Sequence, residues 1–106
     1  MSVVSHLING ELVESQRTLD VTNPSTGKVV RQVADASAAD VERAIAAAQA
    51  AFPAWRDTPP AKRAQVMFRF KQLLEEHADR LVQLVSEEHG KTVEDAMGEL
   101  KRGIEN

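Results

Sequence analysis

Over the first third of the chain apolar residues alternate with polar ones, and from residue 37 onward they recur every three to four positions. A period of two is that of a strand with one buried face, and a period near 3.6 is that of a helix, so strands precede helices. Leu7-Ile8 and Leu12-Val13 flank Asn9-Gly10. That dipeptide tolerates the positive φ angles of a two-residue turn and predicts a hairpin. Leu19 and Val21 alternate with polar neighbours, Asn23-Pro24-Ser25-Thr26-Gly27 has turn chemistry, and Lys28 to Val33 is an extended, β-branched run. A small antiparallel unit is expected over residues 6–33.

Four helices are expected over residues 37–106. Ser37 is placed to cap the first, with Asp40 three residues on completing a capping box. Val41, Ala44, Ile45, Ala48 and Phe52 form its apolar face, and Pro53 is expected to end it, leaving Trp55 in the connection. Thr58-Pro59 opens the second helix, with a stripe of Val66, Met67, Phe70, Leu73 and Leu74. The third carries Leu81, Val82, Leu84 and Val85 and stops at Gly90, the residue type that best accepts a left-handed cap. Thr92 with Asp95 caps the fourth, whose stripe of Val93, Ala96, Met97, Leu100 and Ile104 still runs two residues from the last position. The expectation is of a chain that continues. The fold class of these residues alone is α+β.

Composition changes little. With 42% hydrophobic and 27% charged residues this is an ordinary globular sequence. Its net charge of −3, with both signs interspersed, lacks the clustered basic footprint that nucleic acid requires. No stretch has the length and apolarity of a membrane span or signal peptide, so the cytoplasm is the expected location. Without cysteine the chain has no disulfide, thiolate metal site or thiol nucleophile.

Gly90-Lys91-Thr92 has the ending of a phosphate-binding loop, but that motif needs a glycine where Val85 stands and a strand where a helix is predicted. An ordinary helix–turn–helix junction is the better account. His6, His77 and His89 lie on different elements, which excludes a two-histidine metal motif from one helix face. The adjacent pairs Glu75-Glu76, Glu87-Glu88 and Glu94-Asp95 point in different directions and read as exposed faces rather than as acid–base machinery. Phe52 and Trp55 read as core anchors.

Leu7-Ile8-Asn9-Gly10-Glu11, Asn23 to Val29, Ala51-Phe52-Pro53-Ala54-Trp55 and Glu88-His89-Gly90-Lys91-Thr92 occur in this order and spacing. Together they resemble the start of aldehyde dehydrogenases. Phe52 to Trp55 and the closing Gly98 to Asn106 are most similar to the CoA-acylating methylmalonate-semialdehyde branch of that superfamily. The resemblance implies an α/β parent enzyme, with these strands and helices belonging to its NAD-binding domain. It implies covalent catalysis by a cysteine thiolate, NAD and CoA as cofactors of the full-length enzyme, and propionyl-CoA or acetyl-CoA with carbon dioxide as products. The cysteine, the oxyanion-stabilising asparagine and the dinucleotide loops find no match here, so no cofactor is expected to bind residues 1–106 and no catalysis is expected from them alone. The implied partners are the remainder of the same chain and further copies of the enzyme.

Arg102 matches the position at which that branch uses an arginine to hold the semialdehyde carboxylate. Two alternatives compete with this reading: a non-acylating aldehyde dehydrogenase, and a free-standing helical module that binds a partner through exposed apolar stripes.

Overall fold

A computed structural model describes all of residues 1–106. Five strands precede four helices: β1 (Val3–Val4), β2 (His6–Ile8), β3 (Glu11–Val13), β4 (Arg17–Asn23), β5 (Lys28–Asp35), α1 (Ala38–Asp57), α2 (Pro60–Glu76), α3 (Ala78–His89) and α4 (Val93–Glu105). They fall into two compact units. The first comprises residues 1–22 and 29–59, and the second residues 23–28 and 60–106.

In the first unit, β2 and β3 form the expected antiparallel hairpin, with Leu7 opposite Leu12. Asn9 and Gly10 both have positive φ, 53° and 77°, the combination a tight turn between right-twisted strands requires. A three-stranded sheet has the order β1-β5-β4. The structure adds β1, a two-residue strand the sequence pattern does not announce, and it runs parallel to β5. Ser37 caps α1 by a capping box: its hydroxyl accepts from the Asp40 N–H at 3.1 Å, and Asp40 accepts from the Ser37 N–H at 2.9 Å.

Helix α1 does not stop at Pro53. It continues to Asp57, and Trp55 is helical rather than part of a connection. A proline removes one hydrogen bond, here to the carbonyl four residues back, but Gln49 lies on an exposed face where that carbonyl can be hydrated. Arg56 bridges the proline by stacking over Phe52, 5.7 Å from the ring centroid. The stop comes at Thr58, which precedes Pro59 and is extended (φ −69°, ψ 127°). Its hydroxyl donates to the Ala54 carbonyl at 2.7 Å. Thr58 therefore closes α1 and does not open α2, whose first helical residue is Pro60.

In the second unit, residues 23–28 form a turn closed by the Gly27 N–H on the Asn23 carbonyl at 2.8 Å. Helix α3 packs on α2 and more extensively on α4. Few side chains are fully buried. Ala34, Val82 and Ala96 are the only buried apolar residues, while Phe52, Phe68 and Phe70 are 53–71% exposed. No helix is long and apolar enough to cross a membrane.

Candidate functional site

The α3–α4 junction is built from local hydrogen bonds. Gly90, at φ 83°, ends α3 in the left-handed conformation and donates its N–H to the Ser86 carbonyl at 2.9 Å. The Ser86 hydroxyl donates to the Lys91 carbonyl at 2.8 Å. The Thr92 hydroxyl then accepts the Asp95 N–H at 3.2 Å and starts α4. Gly90-Lys91-Thr92 is thus the predicted helix–turn–helix junction: one residue ends a helix, one carries a side chain away, and one begins the next helix.

The Lys91 side chain reaches two turns along α4 and forms an ion pair with Glu99. The hydrogen bond from Lys91 and then its charge hold the Glu99 carboxyl below the usual glutamate value, with smaller help from His89 and Arg102 and against desolvation. Arg102 lies in the last turn of α4, exposed, with no carboxylate paired to its guanidinium. One of its terminal nitrogens lies 3.6 Å from where a Cβ on Gly98 would stand, so the side chain folds back along the helix over a position that has no side chain. Its carbonyl accepts from Asn106 Nδ2 at 2.9 Å. An unneutralised guanidinium presents a planar fork of donors suited to an external carboxylate. The nearby groove of about 370 Å³ is lined by Met97, Leu100, Lys101 and Ile104 with Lys71 and Glu75, and Arg102 does not line it.

A second polar cluster, in the first unit, went unseen in the sequence. His6 Nε2 lies 2.8 Å from the Ser15 hydroxyl, which donates to Asp40 at 3.4 Å. A hydroxyl has one proton, so with that proton on Asp40 the imidazole must donate to Ser15. This is the reverse of an activated serine, and the cluster ties the hairpin to the start of α1. His77 precedes α3 without a side-chain capping bond and His89 lies in its last turn. No group of histidines and carboxylates is arranged to hold a metal.

Compared with known proteins, residues 12–106 match the model of the aldehyde dehydrogenase family. The chain is 62% identical over its whole length to a malonate-semialdehyde dehydrogenase of Pseudomonas aeruginosa. Among solved structures it resembles a methylmalonate-semialdehyde dehydrogenase of Oceanimonas doudoroffii, with a TM-score of 0.94 and 59% identity over 99% of the chain. A structure from Sinorhizobium meliloti assigned to the same activity, in complex with NAD, gives 0.93 and 42% over 99% of the chain. The chain spans about 22% of the length of each of these proteins.

Proposed function

This chain belongs to the aldehyde dehydrogenase family, and from that premise we propose that it is the amino-terminal part of an NAD-dependent, CoA-acylating malonate- or methylmalonate-semialdehyde dehydrogenase. The reaction converts the semialdehyde, NAD and CoA to acetyl-CoA or propionyl-CoA, carbon dioxide and NADH. The observation that carries the reading is the 62% identity to a malonate-semialdehyde dehydrogenase across every element of the fold.

Residues 1–106 do not fit the cofactor itself. The only strand that leads directly into a helix, β5 into α1, does so through Ala36-Ser37 without the glycines that let a backbone approach a pyrophosphate. With no cysteine they hold no nucleophile for covalent aldehyde oxidation. Their contribution is recognition: Arg102 binds the substrate carboxylate, which distinguishes a semialdehyde acid from a plain aldehyde. The exposed faces carrying Phe52, Trp55, Phe68 and Phe70 support a second part of the reading, in which the remainder of the protein covers them and copies of the enzyme associate.

The test is the complete enzyme that carries this segment, assayed with malonate semialdehyde and NAD, with and without CoA. NADH formation together with acetyl-CoA, identified by mass, is expected. Release of a free carboxylic acid without need of CoA would replace the acylating reading by the non-acylating one. Absence of aldehyde-dependent NADH would overturn both.

A further inference from the structure

We propose that Lys91 is a positioning residue for Arg102: by holding Glu99 in an ion pair, it keeps the guanidinium one turn further along α4 unneutralised and open to a substrate carboxylate. This rests on the carboxylate role proposed above for Arg102. On a helix, residues three apart are neighbours, and an acid preceding a base at that spacing ordinarily pairs with it. Glu99 and Arg102 have that spacing on α4. The pair does not form, because Glu99 turns to Lys91.

Lys91 is held for this task. The residue before it is the left-handed cap of α3, its own carbonyl accepts the Ser86 hydroxyl, and the residue after it caps α4. Its side chain is 23% exposed, against 48% for Glu99, so the cation is the more confined member and draws the carboxylate towards the junction. Gly98 adds the room in which the Arg102 side chain lies back along the helix. Without Lys91, Glu99 becomes an intramolecular competitor for the guanidinium that an incoming carboxylate must displace. That competition weakens binding of substrate and transition state alike, so it acts on KM rather than kcat.

The experiment compares Lys91→Met, Lys91→Met with Glu99→Gln, and Arg102→Leu in the complete enzyme, with malonate semialdehyde and propanal as substrates. Lys91→Met should raise KM for malonate semialdehyde roughly two- to fivefold, the span expected for one partly exposed ion pair. It should leave kcat in place and move kcat/KM for propanal much less. Adding Glu99→Gln removes the competitor and should return KM towards the parent value, a rescue that a merely structural lysine would not show. Lys91→Gln, which keeps a polar stem, serves as the second form of the variant if Lys91→Met does not fold. An unchanged KM, an equal loss with propanal, or no rescue by Glu99→Gln overturns the inference. If Arg102→Leu is selective for the carboxylate substrate while the lysine variants are silent, only the inference falls. If Arg102→Leu affects both substrates by the same factor, the carboxylate reading falls with it.

Discussion

The Pro24 ring stands against Gly90 so closely that a Cβ on residue 90 would lie 2.8 Å from Pro24 Cγ. Two requirements meet at that glycine. Its φ of 83° disfavours any residue with a side chain, and its contact with the 23–28 turn leaves no room for one. The turn and the junction that presents Lys91 are thereby fitted to each other.

Gly90→Ala should destabilise the complete enzyme by about 1–2 kcal/mol from the left-handed backbone alone, with the Pro24 contact adding to it. Pro24→Ala in the same background should relieve the contact but not the backbone strain. Urea unfolding of the single and double variants separates the two contributions. A Gly90→Ala midpoint equal to the parent's would show that neither requirement is stringent.

The start of α1 is an acid-sensitive point of the first unit. The Ser37 backbone N–H, then its hydroxyl, and more weakly His6 and Ser15 hold the Asp40 carboxyl below the ordinary aspartate value, with burial opposing. A carboxyl depressed in the folded state contributes stability that is fully present above about pH 4, its unfolded value, and is lost as pH falls through the folded value. Asp40→Asn should therefore lower stability near neutrality, and the gap from the parent should close in strong acid. Ser37→Ala removes the cap and should cost about 0.5–2 kcal/mol. Parallel stability curves for parent and Asp40→Asn across the acid range would contradict the assignment.

Much of this was legible in sequence wherever the determinant is local. Asn9-Gly10, Ser37 with Asp40, Gly90, and Thr92 with Asp95 each place their own signal within four residues, and each does in the structure what its chemistry predicts. Pro53 does not end α1 because a proline disfavours the α region at the residue before it without excluding it, whereas at Thr58 the same preference holds, so that Thr58 closes α1 where it was expected to open α2. The hydrogen bond that the Pro53 ring removes is offset by the exposed position of Gln49, where water can replace it, and by the Phe52–Arg56 contact. The Lys91–Glu99 pair and the His6–Ser15–Asp40 chain join residues eight to 25 apart, across turns that no periodicity spans. Arg102 could be named only through family resemblance, since composition and spacing treat it as one more charge near a helix end.

Arg102→Leu in the complete enzyme should reduce kcat/KM for malonate semialdehyde by roughly 30-fold or more, the loss expected when a carboxylate is left unpaired in a site built for it. Propanal, which has no carboxylate, should be affected only through packing. Steady-state kinetics with both aldehydes decides the matter: equal factors would assign Arg102 to the fold.

Residues 1–106 expressed alone should give no aldehyde-dependent NADH, since they hold no cysteine. With only Ala34, Val82 and Ala96 buried among apolar residues, they should also associate or lack a sharp unfolding transition. A cooperative thermal transition together with a one-chain mass by light scattering would refute this.

The parallel pairing of Val3 with Gln32 and of Val4 with Val33 sets an order of assembly. The β2–β3 hairpin closes over two residues and belongs to the microsecond class of events, about 1–10 μs. Strand β1 can dock only after β5 is in place, and it must first close a loop containing that hairpin, at an entropic cost that local contacts do not repay. It brings just two residues, each 48% exposed, to offset that cost. The first four residues should therefore join last and leave first, and their amides should exchange with solvent while those of α1 are still protected.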